Sequence, residues 1–462
     1  MGNEAIARGA IEAGVKLVVG YPGTPSSEVI QALAPMSKEF GMRVEWAVNE
    51  KVAMDIGAGA AMAGCRALVT MKGAGLNVAS DSVMSIAYGG VDGGLVIYVA
   101  DDPAAHAGME EQDSRFFAKI SLLPMIDVFD PQNAKDVVVK AFDLSEEFKI
   151  PMFLRSTTRV AHMRSNVALG SIRSIQGKAE LERDIRRYTR ASPAWCMEQH
   201  AILNAKIENM KLSFESSKLN ELDIPENCRG IGVVASGVSW NYLRDVTSLH
   251  KIRDIATLRI ASVNPLPESL MRGLIAKVDR VLVLEELEPY IELHLRAMVG
   301  DIQKPVSIYG KLDNTLPRVG EYNYDTIEEV ITRLMGIGKS GESLDLEKAR
   351  EEASRLAPRR PLPFCPGCPH RGTYTALRQA FRELGYTEDD VIVTGDIGCT
   401  ILGMNPPFNV CWTEVCMGSS IGLAIGLRYA GIDRPIIATI GDSTFFHAGI
   451  PPTINASWYN TN

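Results

Sequence analysis

The sequence predicts an α/β protein built from several doubly wound parallel-sheet domains. Short apolar runs of strand length alternate with helical patterns of ten or more residues. That alternation leads to parallel strands joined by crossover helices. Loops rich in Gly, Pro, Ser, Thr and Asp follow the runs, so they gather on one sheet edge, where such proteins bind ligands. A length of 462 residues corresponds to about three domains.

Over 1–165, strands are expected at 16–20 (KLVVG), 67–71, 95–100, 125–129 and 151–154. The first is followed by a Tyr-Pro-Gly-Thr-Pro-Ser-Ser turn and a helix from about Glu28. From 166 to 225 the alternation weakens and charge rises, which suggests a helical or irregular connector. Near Gly230 it resumes: GIGVVASGV reads as a strand and glycine turn, and SWNYLRDVTSL as a helix. ATLRIASV and RVLVLEE read as strands and EPYIELHLRAMVG as a helix, giving a smaller α/β domain over 226–335. The segment 336–360, charged and breaker-rich at its ends, is a linker with a helix inside. A third α/β domain spans 361–462, where 435–440 (PIIATI) is a buried strand ending in the tight turn Gly441-Asp442-Ser443.

Composition excludes several classes. Hydrophobic content of 46% and charge of 23% belong to a globular protein. A net charge of −8 leaves no basic footprint for nucleic acid. No apolar run has the length of a membrane span, and the first residues lack the pattern of a signal peptide. Eight cysteines without such a signal point to the cytoplasm, where clustered Cys serve as metal or cluster ligands more often than as disulfides. Cys65, Cys196 and Cys228 are scattered, whereas the other five fall between 365 and 416.

A glycine at the carboxyl end of a strand lets backbone amides approach phosphate oxygens, and an aspartate beside it can hold the accompanying divalent cation. Gly441, Asp442 and Ser443 have that pattern, although alone it is also an ordinary turn. Three companions precede it: CPGCPHR (365–371), TGDIGC (394–399) and CMGSSIGLAIG (416–426). In this order they resemble the thiamine-diphosphate-binding domain of 2-oxoacid:ferredoxin oxidoreductases, and among these the indolepyruvate type. The resemblance covers all three domains, is strongest at both ends and weakest over 166–225. It implies domains of thiamine-enzyme type, with a pyrimidine-binding domain at 1–165, a transketolase-C-terminal-like domain at 226–335 and a diphosphate- and Mg²⁺-binding domain at 361–462.

The resemblance also implies roles. Gly395, Asp396, Gly418, Ser419, Gly441, Asp442, Ser443 and His370 would contact the cofactor, with Asp442 on Mg²⁺. In thiamine enzymes an Asn roughly two dozen residues past the Gly-Asp turn completes the Mg²⁺ shell. Asn460 and Asn462 come too early for it, so the chain is read as stopping short of its C-terminus. Glu50, in WAVNEKVA, would hydrogen-bond the aminopyrimidine ring and promote the tautomer that activates thiazolium C2. On its own it is a first-turn glutamate favoured by the helix dipole. Thr24, in the YPGTPSS loop, would lie near the substrate carboxylate, where Pro and Ser also serve as helix-entry residues. Lys72 is a candidate cation for that carboxylate. Relatives usually carry His where this chain has Gly73, and the match near Met109 and Glu110 is loose. Glu111-Gln112-Asp113 and Arg115 fit.

Cys365, Cys368 and Cys399 match the spacing with which relatives hold a [4Fe–4S] cluster, with Cys411 or Cys416 as a possible fourth ligand. The alternatives are packing cysteines or a zinc site. His370 and His447 lie near these motifs, where a lone histidine is usually structural. The expected activity is oxidative decarboxylation of a 2-oxoacid, an arylpyruvate such as indolepyruvate, with the acyl group passing to coenzyme A and electrons to ferredoxin. Expected partners are a smaller beta subunit and a second copy of the resulting heterodimer, which would bring Glu50 and Asp442 to one cofactor. A non-oxidative thiamine decarboxylase or carboligase, and a non-catalytic scaffold subunit, are the alternatives.

Overall fold

The central strands form where the sequence is apolar and β-branched, whereas edge strands such as 43–46 (RVEW) and 221–223 (ELD) are more polar. The computed structural model describes residues 1–108, 110–173, 179–302, 304–338, 346–357 and 362–461. Met109, Asn462 and much of the expected linker lie outside the described residues. The chain divides into two compact units, Met1–Ser340 and Gly341–Asn462.

In the first unit the strands are β1 (Leu17–Gly20), β2 (Arg43–Trp46), β3 (Ala67–Lys72), β4 (Leu95–Asp101), β5 (Met125–Asp127), β6 (Met152–Thr157), β7 (Glu221–Asp223), β8 (Ile231–Ser236), β9 (Ala256–Ile260), β10 (Ser262–Asn264), β11 (Arg280–Leu284) and β12 (Ser307–Tyr309). One sheet has seven strands in the order β10-β5-β6-β4-β3-β1-β2. Every neighbour pair in it is parallel except β10 with β5. β4 and β6 are buried along their whole length, as continuous apolar runs in the middle of a parallel sheet should be. The second sheet runs β12-β11-β8-β9-β7, parallel apart from the edge pair β7–β9. These are the doubly wound parallel sheets the alternation predicts. The helices Ser239–Leu249 and Tyr290–Gly300 fall where the periodicity places them.

ATLRIASV, expected as one strand, is two. β9 belongs to the second sheet and β10 to the first, and the chain crosses between them at Ala261. The amides at the crossing do not go unpaired, because the Asn220 side chain accepts from Ala261 N at 2.9 Å and Ser262 N at 3.1 Å.

The ends of β4, β5, β6 and β11 meet in a buried ionic network. Arg155 donates to Asp101 at 2.7 Å and to Asp127 at 2.9 Å. Arg115, wholly buried, donates to Asp113 and, at 2.5 Å, to Glu285. Its Nη2, which also reaches Asp113, lies 2.9 and 2.7 Å from the carbonyl oxygens of Glu286 and Glu288. Burial raises the Asp101, Asp127 and Glu285 carboxyls above their usual range. Burial pushes Asp113 the same way, but Arg115 outweighs it and leaves Asp113 below that range.

The second unit contains β13 (Ile392–Thr394), β14 (Cys411–Thr413) and β15 (Ile436–Ala438), parallel in the order β14-β13-β15. β15 was expected to be buried. It is half-exposed, because it pairs with β13 on one side only. The expected tight turn at 441–443 is a helix start: Gly441 is the N-cap of the short helix Asp442–Thr444.

Candidate active site

In the first unit the helix Glu50–Met62 is rich in Ala and Gly, which lets it lie close to its neighbours. Asn49 caps it, its side chain accepting from Val52 N at 2.9 Å. Glu50 therefore has no capping duty, and it is 2% exposed. Its Oε2 is buried without a hydrogen-bond partner. Burial raises the Glu50 carboxyl above the carboxylate range, while its own backbone amide and the charge of Lys72 pull the other way. A buried acid with one open oxygen is what a ring-nitrogen partner requires. The site thus fits the aminopyrimidine of thiamine diphosphate.

Lys72 ends β3 and precedes the helix Gly73–Gly89, whose first turn has no side-chain cap. The Lys72 side chain runs across Gly23: a Cβ there would stand 3.0 Å from its Cγ and 3.1 Å from its Cδ. Thr24 follows and is exposed. The structure thus brings Glu50, Lys72 and the Thr24 loop to one edge of the sheet. Ser26 and Ser27 shape that loop, through Ser26 Oγ to Gly23 O at 2.7 Å and Gly23 N to Ser27 Oγ at 2.8 Å. Gln112 closes over the same helix start, donating to Gly73 O at 3.0 Å and accepting from Asn77 at 2.7 Å. Asn77 carries no signal in the sequence, because its role depends on a loop 35 residues away.

In the second unit a cleft of about 900 Å³ is lined by His370, Tyr374, Leu377, Thr400, Asp442 and Phe446. Asp442 is exposed at its helix start, beside Ser443. Magnesium sites commonly combine one or two carboxylates with phosphate oxygens and water, and Asp442 suits that arrangement. Tyr374, unnoticed in the sequence, forms the floor, its hydroxyl bonded to Thr400 O at 2.7 Å and Cys411 Sγ at 3.2 Å. His370 stands at the cleft, its ring 5.8 Å from that of Phe364. His447 is half-buried, and burial lowers its pKa.

Asp396, expected beside the cofactor, is fully buried and holds a turn. Its carboxylate accepts from the amides of Ile397 and Gly418 at 2.9 Å and of Ser420 at 3.1 Å. Ser419 N goes to Cys416 O at 3.0 Å. The start of the helix Ser419–Tyr429 is thereby filled by the chain's own carboxylate. Gly418, with φ of +88° and Ala448 2.8 Å from where a Cβ would be, suits only glycine. Gly395 packs as closely against Thr413 O.

Among the described residues, no three His, Cys, Asp or Glu side chains lie together as a metal site. Cys365, Cys368 and Cys399 are thus not gathered as a cluster-binding set. Cys368 occupies the N-cap position of the helix Pro369–Glu383 with no side-chain cap bond, and Cys365 and Cys399 are exposed. Cys411 takes part in the Tyr374 network, and burial raises its thiol pKa. Among the described residues no helix is long and apolar enough to cross a membrane.

Residues 8–226 match the family model of the thiamine-diphosphate-binding region of pyruvate flavodoxin/ferredoxin oxidoreductases. Residues 396–462 match the C-terminal TPP-binding domain of thiamine pyrophosphate enzymes. The indolepyruvate oxidoreductase subunit IorA of Methanothermobacter thermautotrophicus is 40% identical over 456 residues, covering 99% of this chain and 72% of that protein. The chain belongs to the IorA family. The Archaeoglobus fulgidus member is also 40% identical, over 461 residues, with 99% and 72% covered. The Pyrococcus horikoshii member is 35% identical over 480 residues, with 100% and 72% covered. Among solved structures, a 2-oxoglutarate:ferredoxin oxidoreductase from Magnetococcus marinus shares the fold with a TM-score of 0.58 at 17% identity. That match covers 72% of this chain and 64% of the other. Membership of the family makes the chain a large subunit of a thiamine-dependent oxidoreductase, with the two thiamine-binding regions falling in separate units.

Proposed function

We propose that this chain is the thiamine-diphosphate-binding subunit of a cytoplasmic oxidoreductase that decarboxylates an arylpyruvate of the indolepyruvate type. The acyl product goes to coenzyme A and the electrons to ferredoxin. The observation that carries this reading is Glu50, a buried acid at a helix start with one oxygen left open. Thiamine diphosphate, when bound, supplies the electron sink on which a 2-oxoacid loses its carboxyl group. Glu50 holds a proton at Oε2 for exchange with the pyrimidine ring. Asp442 would hold the Mg²⁺ that neutralises the diphosphate, with Gly441 and Ser443 as the adjoining backbone. Lys72 and Thr24 orient the substrate carboxylate.

Lys72→Met is expected to raise KM for the 2-oxoacid by about tenfold with kcat less affected, a loss of about 1.4 kcal/mol in uniform binding. Steady-state kinetics over a range of 2-oxoacid concentrations checks it, and an unchanged KM would remove Lys72 from the carboxylate site.

The second reading is a non-oxidative decarboxylase that releases aldehyde and needs none of Cys365, Cys368 and Cys399; among the described residues no three His, Cys, Asp or Glu side chains lie together as a metal site. The two are separated by 2-oxoacid- and CoA-dependent reduction of a low-potential acceptor, measured with and without the smaller partner subunit. The oxidative reading expects reduction only when the partner is present, paired with this chain as a heterodimer that itself doubles. Aldehyde release with no acceptor reduction in the complete complex would favour the second reading. Full acceptor reduction by this chain alone would overturn the two-subunit assignment.

A further inference from the structure

Two helices of the first unit, Glu50–Met62 and Gly73–Gly89, each carry helical glycines, and these glycines are not equivalent. Gly59 faces open space: a Cβ there would meet nothing within 4 Å. Gly75 faces Glu50. A Cβ on Gly75 would stand 2.5 Å from Glu50 Oε1, 2.8 Å from its Cγ and 2.9 Å from its Cδ. At distances this short the Glu50 side chain or the helix must shift. Because Cγ is among the atoms met, swinging the carboxyl end alone would not relieve the clash. The whole side chain would have to leave its rotamer, or the helix would have to move. Gly75 lies inside a regular helix, so its backbone conformation does not call for glycine. The missing side chain is what the site uses.

Beyond its own backbone amide and the charge of Lys72, Glu50 has little to fix its direction. Asn49 takes the capping role, and Oε2 has no partner. We propose that Gly75 is a positioning residue for Glu50, its bare Cα forming the wall against which the carboxyl lies. The inference rests on the reading of Glu50 given above. Gly73 repeats the arrangement on the neighbouring carboxyl, since a Cβ there would stand 2.7 Å from Asp101 Oδ1, itself buried and unpartnered. The first turn after Lys72 is thus wedged between two buried acids, and both glycines are the space those acids occupy.

The test is a double-mutant cycle read by thermal denaturation, with kinetics beside it. Gly75→Ala is expected to lower Tm and to reduce kcat by about a hundredfold, the scale of a misplaced catalytic group, with KM for the 2-oxoacid nearly unchanged. Gly59→Ala, the control, is expected to keep both kcat and KM and to raise Tm slightly, since alanine is the better helix former. Glu50→Ala removes Cγ, Cδ and Oε1 together. The double variant Glu50→Ala/Gly75→Ala should therefore recover the Tm lost in Gly75→Ala alone. If Gly75→Ala does not fold, the same double variant should restore folding. Additive Tm losses, a double variant that also fails to fold, or a wild-type kcat in Gly75→Ala would each overturn the proposal. The cycle needs no cofactor, so it remains decisive if Glu50→Gln shows the thiamine reading itself to be wrong.

Discussion

Glu50→Gln is expected to leave the fold intact and to reduce turnover by about 10²–10⁴-fold, the range of a lost general acid–base group. The amide fills the same volume, so the packing against Gly75 is kept. Its N–H groups can donate a hydrogen bond but have no acidic proton to exchange with the ring nitrogen. The stability of the variant sharpens the prediction. Burial raises the Glu50 carboxyl, so the folded state favours its protonated form. Stability from that preference is present below the ordinary carboxylate pKa and is lost as pH rises through the raised value. Glutamine does not titrate, so the variant should gain on the wild type as pH rises through that window. Thermal denaturation across the acid-to-neutral range checks this. A variant that binds thiamine diphosphate and exchanges its C2 proton at the wild-type rate would return Glu50 to a helix-start role.

Much of the sheet architecture was legible because strand and helix patterns are local. β4 and β6 are unbroken apolar runs, and such runs belong in the middle of a parallel sheet. β2, with the sequence RVEW and partial exposure, escaped notice because an edge strand need not be apolar. The break between β9 and β10 was invisible for another reason. The device that permits it, the Asn220 side chain, lies some 40 residues upstream and looks like any loop asparagine.

The site was legible in type more than in placement. Thr24, Lys72 and Glu50 read as loop and helix-start residues, and they come together because β1, β3 and the Glu50 helix share one sheet edge. What gives Glu50 its chemistry is burial against the helix that follows β3, and no local pattern encodes that. Asp396 shows the converse. A Gly-Asp pair after a strand reads as a phosphate or metal turn, whereas three backbone amides already occupy this carboxylate. Sequence spacing brought three cysteines into a cluster motif, but spacing fixes neither direction nor distance.

Arg115→Met should be the most destabilising single change in the first unit, costing about 3–5 kcal/mol at neutral pH. The methionine fills much of the volume but leaves Glu285 buried without its cation and Asp113 with only Arg155, 4.0 Å away, and strips the carbonyls of Glu286 and Glu288 of a donor. The contrast is Arg43, 77% exposed in its pair with Glu45, where the same substitution should cost less than about 1 kcal/mol. The pH dependence identifies the cause. Burial raises both Asp113 and Glu285, and Arg115 opposes it, enough to bring Asp113 below its usual range and not enough to do so for Glu285. Without the arginine both carboxyls rise, so the folded variant takes up protons that the unfolded chain does not. Stability of that kind is present at acid pH and lost as pH rises through the folded pKa values. The deficit of Arg115→Met relative to wild type should therefore shrink as pH falls from neutral toward the carboxylate range. Urea denaturation midpoints at several pH values measure it. A deficit independent of pH would mean that lost packing, rather than two stranded carboxylates, is what the substitution exposes.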